Sequence, residues 1–278
     1  MTQQVERMLP LYEAKMLSAY DHRDADVVKS ATAAKRQNQP RYLTDQEHLD
    51  PQREAIPNVW IREELVDSEL PEWLTGFSDV TSSTNERTII SAALPRAGVG
   101  HTYPLYFASA PHLLLAQWNS FVVDFMARQK VAGLHLTYTY LRQLPLLPPS
   151  RFEGPCPWTV LESLRDWFAQ RVVVLSCTSE SMKPMAMEIR GVSQVNPWDP
   201  ALRISLMAEL DAALFQLFGV TRDDLDYIME SFPIVKRKDV AAHGTFRTKD
   251  MILEVYDAMQ VAIDTGTPYR SALQEELA

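Results

Sequence analysis

A chain of 278 residues that is 46% hydrophobic, with 6 Trp, 10 Tyr and 10 Phe, can bury the core of one or two ordinary domains and is not disordered by composition. A formal net charge of −9 argues against a freestanding binder of phosphate backbones, and two cysteines, Cys156 and Cys177, are too few for a disulfide framework or a four-thiolate zinc site. No apolar run approaches the roughly 20 residues that span a bilayer, and the first residues lack a charged-then-apolar leader pattern, so the expected compartment is the cytoplasm and no membrane partner is expected.

In chain order, residues 1–30 read as an entry segment or linker, with Leu9, Pro10, Leu11 and Tyr12 followed by a mixed polar run. Lys29 to Asp50 is polar and reads as a loop with a short strand near Arg41 to Leu43, because Pro40 disfavours helix before it. From Trp73 to Ala108 short apolar runs are punctuated by Gly76, Pro95, Gly98, Gly100 and Pro104, a strand-and-turn pattern. Pro111 opens a helix expected to run through Lys130, with Leu114, Trp118, Phe121, Val122, Phe125 and Met126 at three- and four-residue steps. A last strand is expected over Leu136 to Leu141, and the proline-rich exit Leu144 to Pro149 marks a domain boundary.

Beyond that boundary the period is helical. Asp199 and Pro200 form an N-cap and first-turn pair, and Leu202, Leu206, Leu210, Leu214 and Leu217 make a stripe that ends at Gly219. Thr221 starts a further helix in the manner of a capping box, with Asp224 where Glu or Gln is usual, and another begins near Thr248 and ends before Gly266. The expected fold class is α+β, with a mixed α/β domain over residues 31–150 and a mainly helical domain over 151–278.

Little in the chain suggests catalysis. Asn196, Pro197 and Trp198 lack the second proline of an adenine-flipping loop, and Gly98, Val99 and Gly100 lack the third glycine and the helix signal of a dinucleotide turn. The six histidines are scattered without metal-ligand spacing, and the acidic pairs Glu63, Glu64 and Asp223, Asp224 read as solvated or first-turn charges. Serine and cysteine nucleophiles have no assignable partner. No catalysis and no cofactor are expected of this chain alone.

Four segments carry a different signal: LPLYEAKMLSAYDHR (Leu9 to Arg23), TNERTIISAALP (Thr84 to Pro95), ARQKVAGLHLTYTYLRQLPLLPP (Ala127 to Pro149) and FPIVKRKDVAAHGTFRTKDMILEVYDAM (Phe232 to Met259). In that order and spacing the chain resembles the C-terminal target-recognition and helical region of large adenine-specific DNA methyltransferases of restriction-modification and phage-defence systems (type IIG, type ISP and BREX or DISARM-like enzymes), without their methyltransferase domain. The resemblance implies a module that reads double-stranded DNA over residues 31–150 and acts with a separate methyltransferase or methyltransferase-nuclease subunit, to which S-adenosylmethionine would bind. The alternative is a protein-interaction or vestigial fragment without useful DNA affinity, which the acidic balance favours.

Arg pairs with guanine, and Asn or Gln with adenine, through two matched hydrogen bonds each. The candidates for DNA contact are Arg23, Arg36, Arg41, Arg87, His101, Arg128, Lys130, His135 and Arg142. Arg87, Arg128 and Lys130 lie in the most family-like text, where enzymes with different targets should agree, and so suit structural or phosphate-positioning roles better than base reading. The loops Lys35 to Arg41 and His101 to Tyr103 are the stronger places for sequence readout. Lys236, Arg237, Lys238, Arg247 and Lys249 suit either phosphate contact or pairing with the neighbouring acids Glu230, Asp239 and Asp250.

Overall fold

The computed structural model describes residues 6–32 and 37–275. The fold is α+β with a helical C-terminal part. Its strands are β1 (Met8–Tyr12), β2 (Ala25–Lys29), β3 (Asn38–Tyr42), β4 (Trp60–Arg62), β5 (Trp73–Phe77), β6 (Ser91–Pro95), β7 (Gly98–Val99) and β8 (Leu105–Tyr106). The helices are α1 (Asp45–His48), α2 (Pro111–Trp118), α3 (Phe121–Arg128), α4 (Tyr138–Leu141), α5 (Leu164–Ser176), α6 (Lys183–Arg190), α7 (Pro200–Leu217), α8 (Arg222–Glu230), α9 (Pro233–His243), α10 (Arg247–Thr265) and α11 (Ala272–Glu275). No helix among the described residues is long and apolar enough to cross a membrane.

Two compact units divide the chain, and they do not follow the expected boundary at Pro149. Unit 1 takes the chain up to Val80, then Ile90–Pro111 and Val173–Trp198; unit 2 takes Thr81–Ile89, His112–Val172 and everything from Asp199. The expected entry segment is therefore part of unit 1. The reason is burial: β1 lies between β4 and β7 as the middle strand of a sheet, antiparallel to the first and parallel to the second, and Tyr12, Met16 and Leu17 enter the core.

Unit 1 is built from three small sheets, β4-β1-β7, β2-β3 and β6-β5-β8, around Tyr12, Met16, Val27, Leu74, Ala92, Leu94 and Tyr103. One close approach fixes the third sheet. A Cβ at Gly76 would stand 2.4 Å from Cε1 of Tyr103 and 2.8 Å from the Pro104 carbonyl, so only glycine fits. The Tyr103 hydroxyl uses that space: it accepts from Ala92 N–H at 2.8 Å and lies 2.9 Å from the Gly76 carbonyl, joining β5 and β6 from within.

In unit 2, α10 packs along α7, α8 and α9, and α3 packs on α7 and α8. The expected caps are present: Asp199 accepts from the N–H groups of Ala201 and Leu202, Thr221 accepts from Asp224 N–H, and Gly219 and Gly266 sit in the left-handed region at φ 69° and 73°. The helix expected over Pro111 to Lys130 is two helices. Ser120 takes an extended conformation and caps α3 through its hydroxyl, which accepts from Val123 N–H, so the 3.6-residue pattern continues across a break. The strand expected over Leu136 to Leu141 is a turn of helix, α4. Thr137 and Tyr138, though favourable in strands, are exposed there, and the Thr137 carbonyl accepts from Leu141 N–H while Leu136 and Leu141 are buried.

A buried carboxyl lies at the start of α3. Asp211 of α7 accepts from Phe121 N–H at 2.6 Å, and burial pushes its pKa up to about 7 against the opposing pull of Arg87 and that N–H group. Because the folded value is raised, the stability Asp211 contributes is complete below pH ~4 and is lost as pH rises to about 7. Asp211→Asn keeps the acceptor and removes the titration. The expected result in urea unfolding is that the variant gains on the wild type by on the order of a few kcal/mol between pH ~4 and ~7, with parallel curves as the contrary outcome.

Candidate nucleic-acid interface

The Asp-His-Arg run near the end of the first family-like segment forms an interior polar cluster. Asp21 accepts from Arg23 N–H at 3.0 Å and lies 3.0 Å from His48 Nε2; His22 Nε2 lies 3.0 Å from Ser179 Oγ. Arg23 is fully buried. Its guanidinium donates through Nη1 to the carbonyls of Asp50 and Arg53, both at 2.8 Å, and through Nη2 to those of His48 at 2.8 Å and Thr178 at 2.9 Å. Burial lowers its pKa and Asp21 opposes this. The expectation that Arg23 contacts DNA is corrected: four of its five N–H donors are consumed by backbone inside unit 1.

Arg41 stands at the edge of the β2-β3 ribbon, half exposed, directly across from Asp26. It pairs with Asp26 and with Glu47, whose oxygens lie 2.9 Å and 3.2 Å from its Nη2 and Nη1. Glu47 in turn closes the capping box of α1 with Thr44, and the Arg41 guanidinium and the Thr44 N–H bring its pKa down to about 2. Asp26 also holds Arg53 at 2.6 Å. Arg41 is thus engaged on its carboxylate side, while Arg36 lies outside the described residues.

Both stretches favoured for sequence readout reach one groove, and the first is not a loop there: Asn38, Gln39, Pro40 and Arg41 belong to β3, paired with β2. This open groove of about 590 Å³ is lined by Gln37, Asn38, Gln39 and Pro40 from the first stretch and Thr102 from the second, with Glu13, Ala14, Lys15, Ser78 and Val80. Lys15 Nζ bridges Glu13 at 3.0 Å and the Asn38 carbonyl at 3.4 Å, and the Thr102 hydroxyl accepts from Ala14 N–H at 3.3 Å. The groove therefore carries a neutralised ion pair and several amide and hydroxyl groups. His101, next to Thr102, is exposed. Thr102 falls within the expected readout stretch His101 to Tyr103, whereas Lys15, within the first family-like segment, and Ser78 carry no signal of their own for this groove, each being distant from the others along the chain.

The remaining candidates belong to unit 2. Arg87 is committed to its interior: Nε donates to Asp124 at 2.6 Å, Nη2 to the Asn119 carbonyl, and the guanidinium stacks 4.1 Å from the Phe121 ring. Arg128 donates to the carbonyls of Asn85 at 2.6 Å and Glu86 at 2.7 Å and stacks 4.1 Å from the Phe232 ring. Both arginines hold the Thr84–Arg87 turn against α3, the structural role that suits their segment. Lys130, His135 and Arg142 are exposed. Of the C-terminal cations, Lys236 pairs with Glu230 at 2.6 Å, Lys249 with Asp226 and Glu230 at 2.9 and 2.6 Å, and Lys238 with Glu86.

Asn196, Pro197 and Trp198 lie in an irregular stretch of unit 1: the Asn196 amide donates to the carbonyls of Val173 and Cys177, and the Trp198 ring stacks on His48 with centroids 3.8 Å apart. No group of three or more His, Cys, Asp or Glu side chains is placed to hold a metal ion among the described residues.

No family profile, curated protein or solved structure matches this chain.

The role assigned to Arg23 has a direct test. Arg23→Lys retains the charge but offers three donors from a single nitrogen in place of a planar fork, leaving buried carbonyls without partners. The expected cost is about 2–4 kcal/mol in urea unfolding. Loss of under about 0.5 kcal/mol, as for an ordinary surface change, would remove Arg23 from the interior framework.

Proposed function

We propose that this chain is the DNA sequence-recognition module of a restriction-modification or phage-defence adenine methyltransferase, working in the cytoplasm with a separate catalytic subunit that carries S-adenosylmethionine. One observation supports this reading above others: Gln37 with Asn38, Gln39 and Pro40 of β3, and Thr102, far away in sequence, line one open polar groove. Asn and Gln amides are the side chains that match adenine at N6 and N7, and Lys15 supplies a donor of the kind that meets guanine.

The charge distribution fits a reader better than a gripper. The Glu13–Lys15 pair leaves the groove wall close to neutral, and the cations Lys236, Lys238 and Lys249 of unit 2 are occupied by carboxylates. Phosphate contacts provide affinity without sequence information, so a chain poor in free cations needs a partner that holds the duplex. The same ion pairs favour the second reading, a protein-interaction fragment without useful DNA binding.

Selection from a pool of random duplexes at low ionic strength distinguishes the two. The expected outcome is an enriched motif containing A·T pairs, binding that fades steeply with added salt, and relaxed preference at one position in Gln37→Ala or Asn38→Ala, with each lost bidentate contact worth ~1–3 kcal/mol. Absence of any enriched motif, or an unchanged motif in both variants, would favour the interaction fragment.

A further inference from the structure

A second concavity in unit 1 has a different chemistry. A pocket of about 230 Å³ is walled by Pro71, Trp73, Tyr106, Phe107 and Pro111 and carries one carboxylate, Glu188 of α6. Its volume falls below the ~300–1,000 Å³ of sites for drug-sized molecules and matches one protruding side chain. Two aromatic residues are fixed in the fold, since Trp73 and Tyr106 are 4% and 7% exposed, while Phe107, at 63%, stands open to solvent beside them.

Glu188 is held in place by the pocket itself. Its Oε2 accepts from the indole N–H of Trp73 at 2.6 Å, and Oε1 has no partner among the described residues. The indole hydrogen bond fixes the carboxylate next to aromatic side chains, and the free oxygen leaves room for one further donor. A site that combines one open aromatic ring, Phe107, the edges of Trp73 and Tyr106, two prolines and one anchored negative charge selects an organic cation with an apolar, planar body.

We propose that this pocket receives an arginine side chain from a partner protein. Guanidinium is flat, permanently charged and weakly hydrated, so it stacks on an aromatic face while donating to a carboxylate, whereas an ammonium retains its water more strongly. Charge complementarity selects the source. Glu188, the one charged group of the lining, repels phosphate at this pocket, and the net charge of −9 draws in a basic protein surface, which makes such a surface the occupant here. The site does not depend on the DNA-reading groove and stands whether or not that groove binds bases.

The test uses the full chain labelled at tryptophan, with the indole resonance of Trp73 identified by Trp73→Phe and the other five indoles as a folding control. The probes are a capped Gly-Arg-Gly peptide and the same peptide with neutral citrulline. The expected result is a saturable shift of the Trp73 resonance with the arginine peptide and affinity about tenfold lower for citrulline, with a similar loss in Glu188→Gln and in the exposed-site variant Phe107→Ala. No saturable shift, equal response to citrulline, or undiminished binding in both variants with the other indoles unmoved would overturn the proposal.

Discussion

The framework of unit 1 depends on a guanidinium that never meets water. Backbone carbonyls at His48, Asp50, Arg53 and Thr178 come from chain segments up to 155 residues away from Arg23, and none of them belongs to a sheet ladder that would satisfy it. Without Arg23 the carbonyls of His48, Arg53 and Thr178 would lose this donor, each a cost comparable to a lost hydrogen bond, while that of Asp50 would keep the Arg53 N–H. The three sheets are short, with β7 and β8 only two residues each, so strand pairing alone is a weak tie between the loops that surround the groove. A planar fork with a permanent charge replaces the missing ladder.

Unit 2 solves the same problem with carboxylates. Asp124 is fully buried and accepts from Arg87 and from Thr88 N–H, while Arg171 and Glu209, both 1% exposed, pair at 2.6 Å and hold Ser271 between them. The Tyr269 hydroxyl and the Ala272 N–H also donate to Glu209, so one charge gathers much of the last segment of the described chain. Such pairs are expensive to desolvate and contribute little net stability compared with a hydrophobic replacement, but breaking one leaves an uncompensated interior ion. Their effect is to fix where each segment lies.

The local signals were the legible part of the sequence. Asp199 with Pro200, Thr221 and Gly266 act through neighbours within a few residues, and a cap can be recognised wherever it occurs. The capping box Thr44 to Glu47 is equally local, within a stretch expected to be loop. Long-range assignments fared differently. Arg23 looked like a base reader because an arginine in a polar run gives no sign of the carbonyls it will meet 25 to 155 residues later. The break at Ser120 was hidden because the apolar spacing of α2 and α3 continues in phase, and α4 was hidden because Thr and Tyr propensities yield to exposure. The groove was half visible: residues 35–41 and 101–103 stood out as stretches outside the family-like segments, but Lys15 and Thr102 become neighbours of Gln37 and Asn38 only through folding.

The division of the chain bears on how it is made. The polypeptide crosses between its two units five times, so neither unit corresponds to a continuous stretch. As the chain emerges during synthesis, the first 111 residues already contain every strand, yet the carbonyl of Thr178 is still missing from the Arg23 fork, and Glu180 N–H has not yet reached the Pro51 carbonyl. Unit 1 therefore waits for Val173–Trp198, and unit 2 waits longer still for α7 to α11. Contacts this distant in sequence make folding slow and leave partly assembled chains with exposed strand edges, a state in which chaperones bind. A gene cut at the proline-rich exit near Pro149 would yield two halves that must find each other before either is complete.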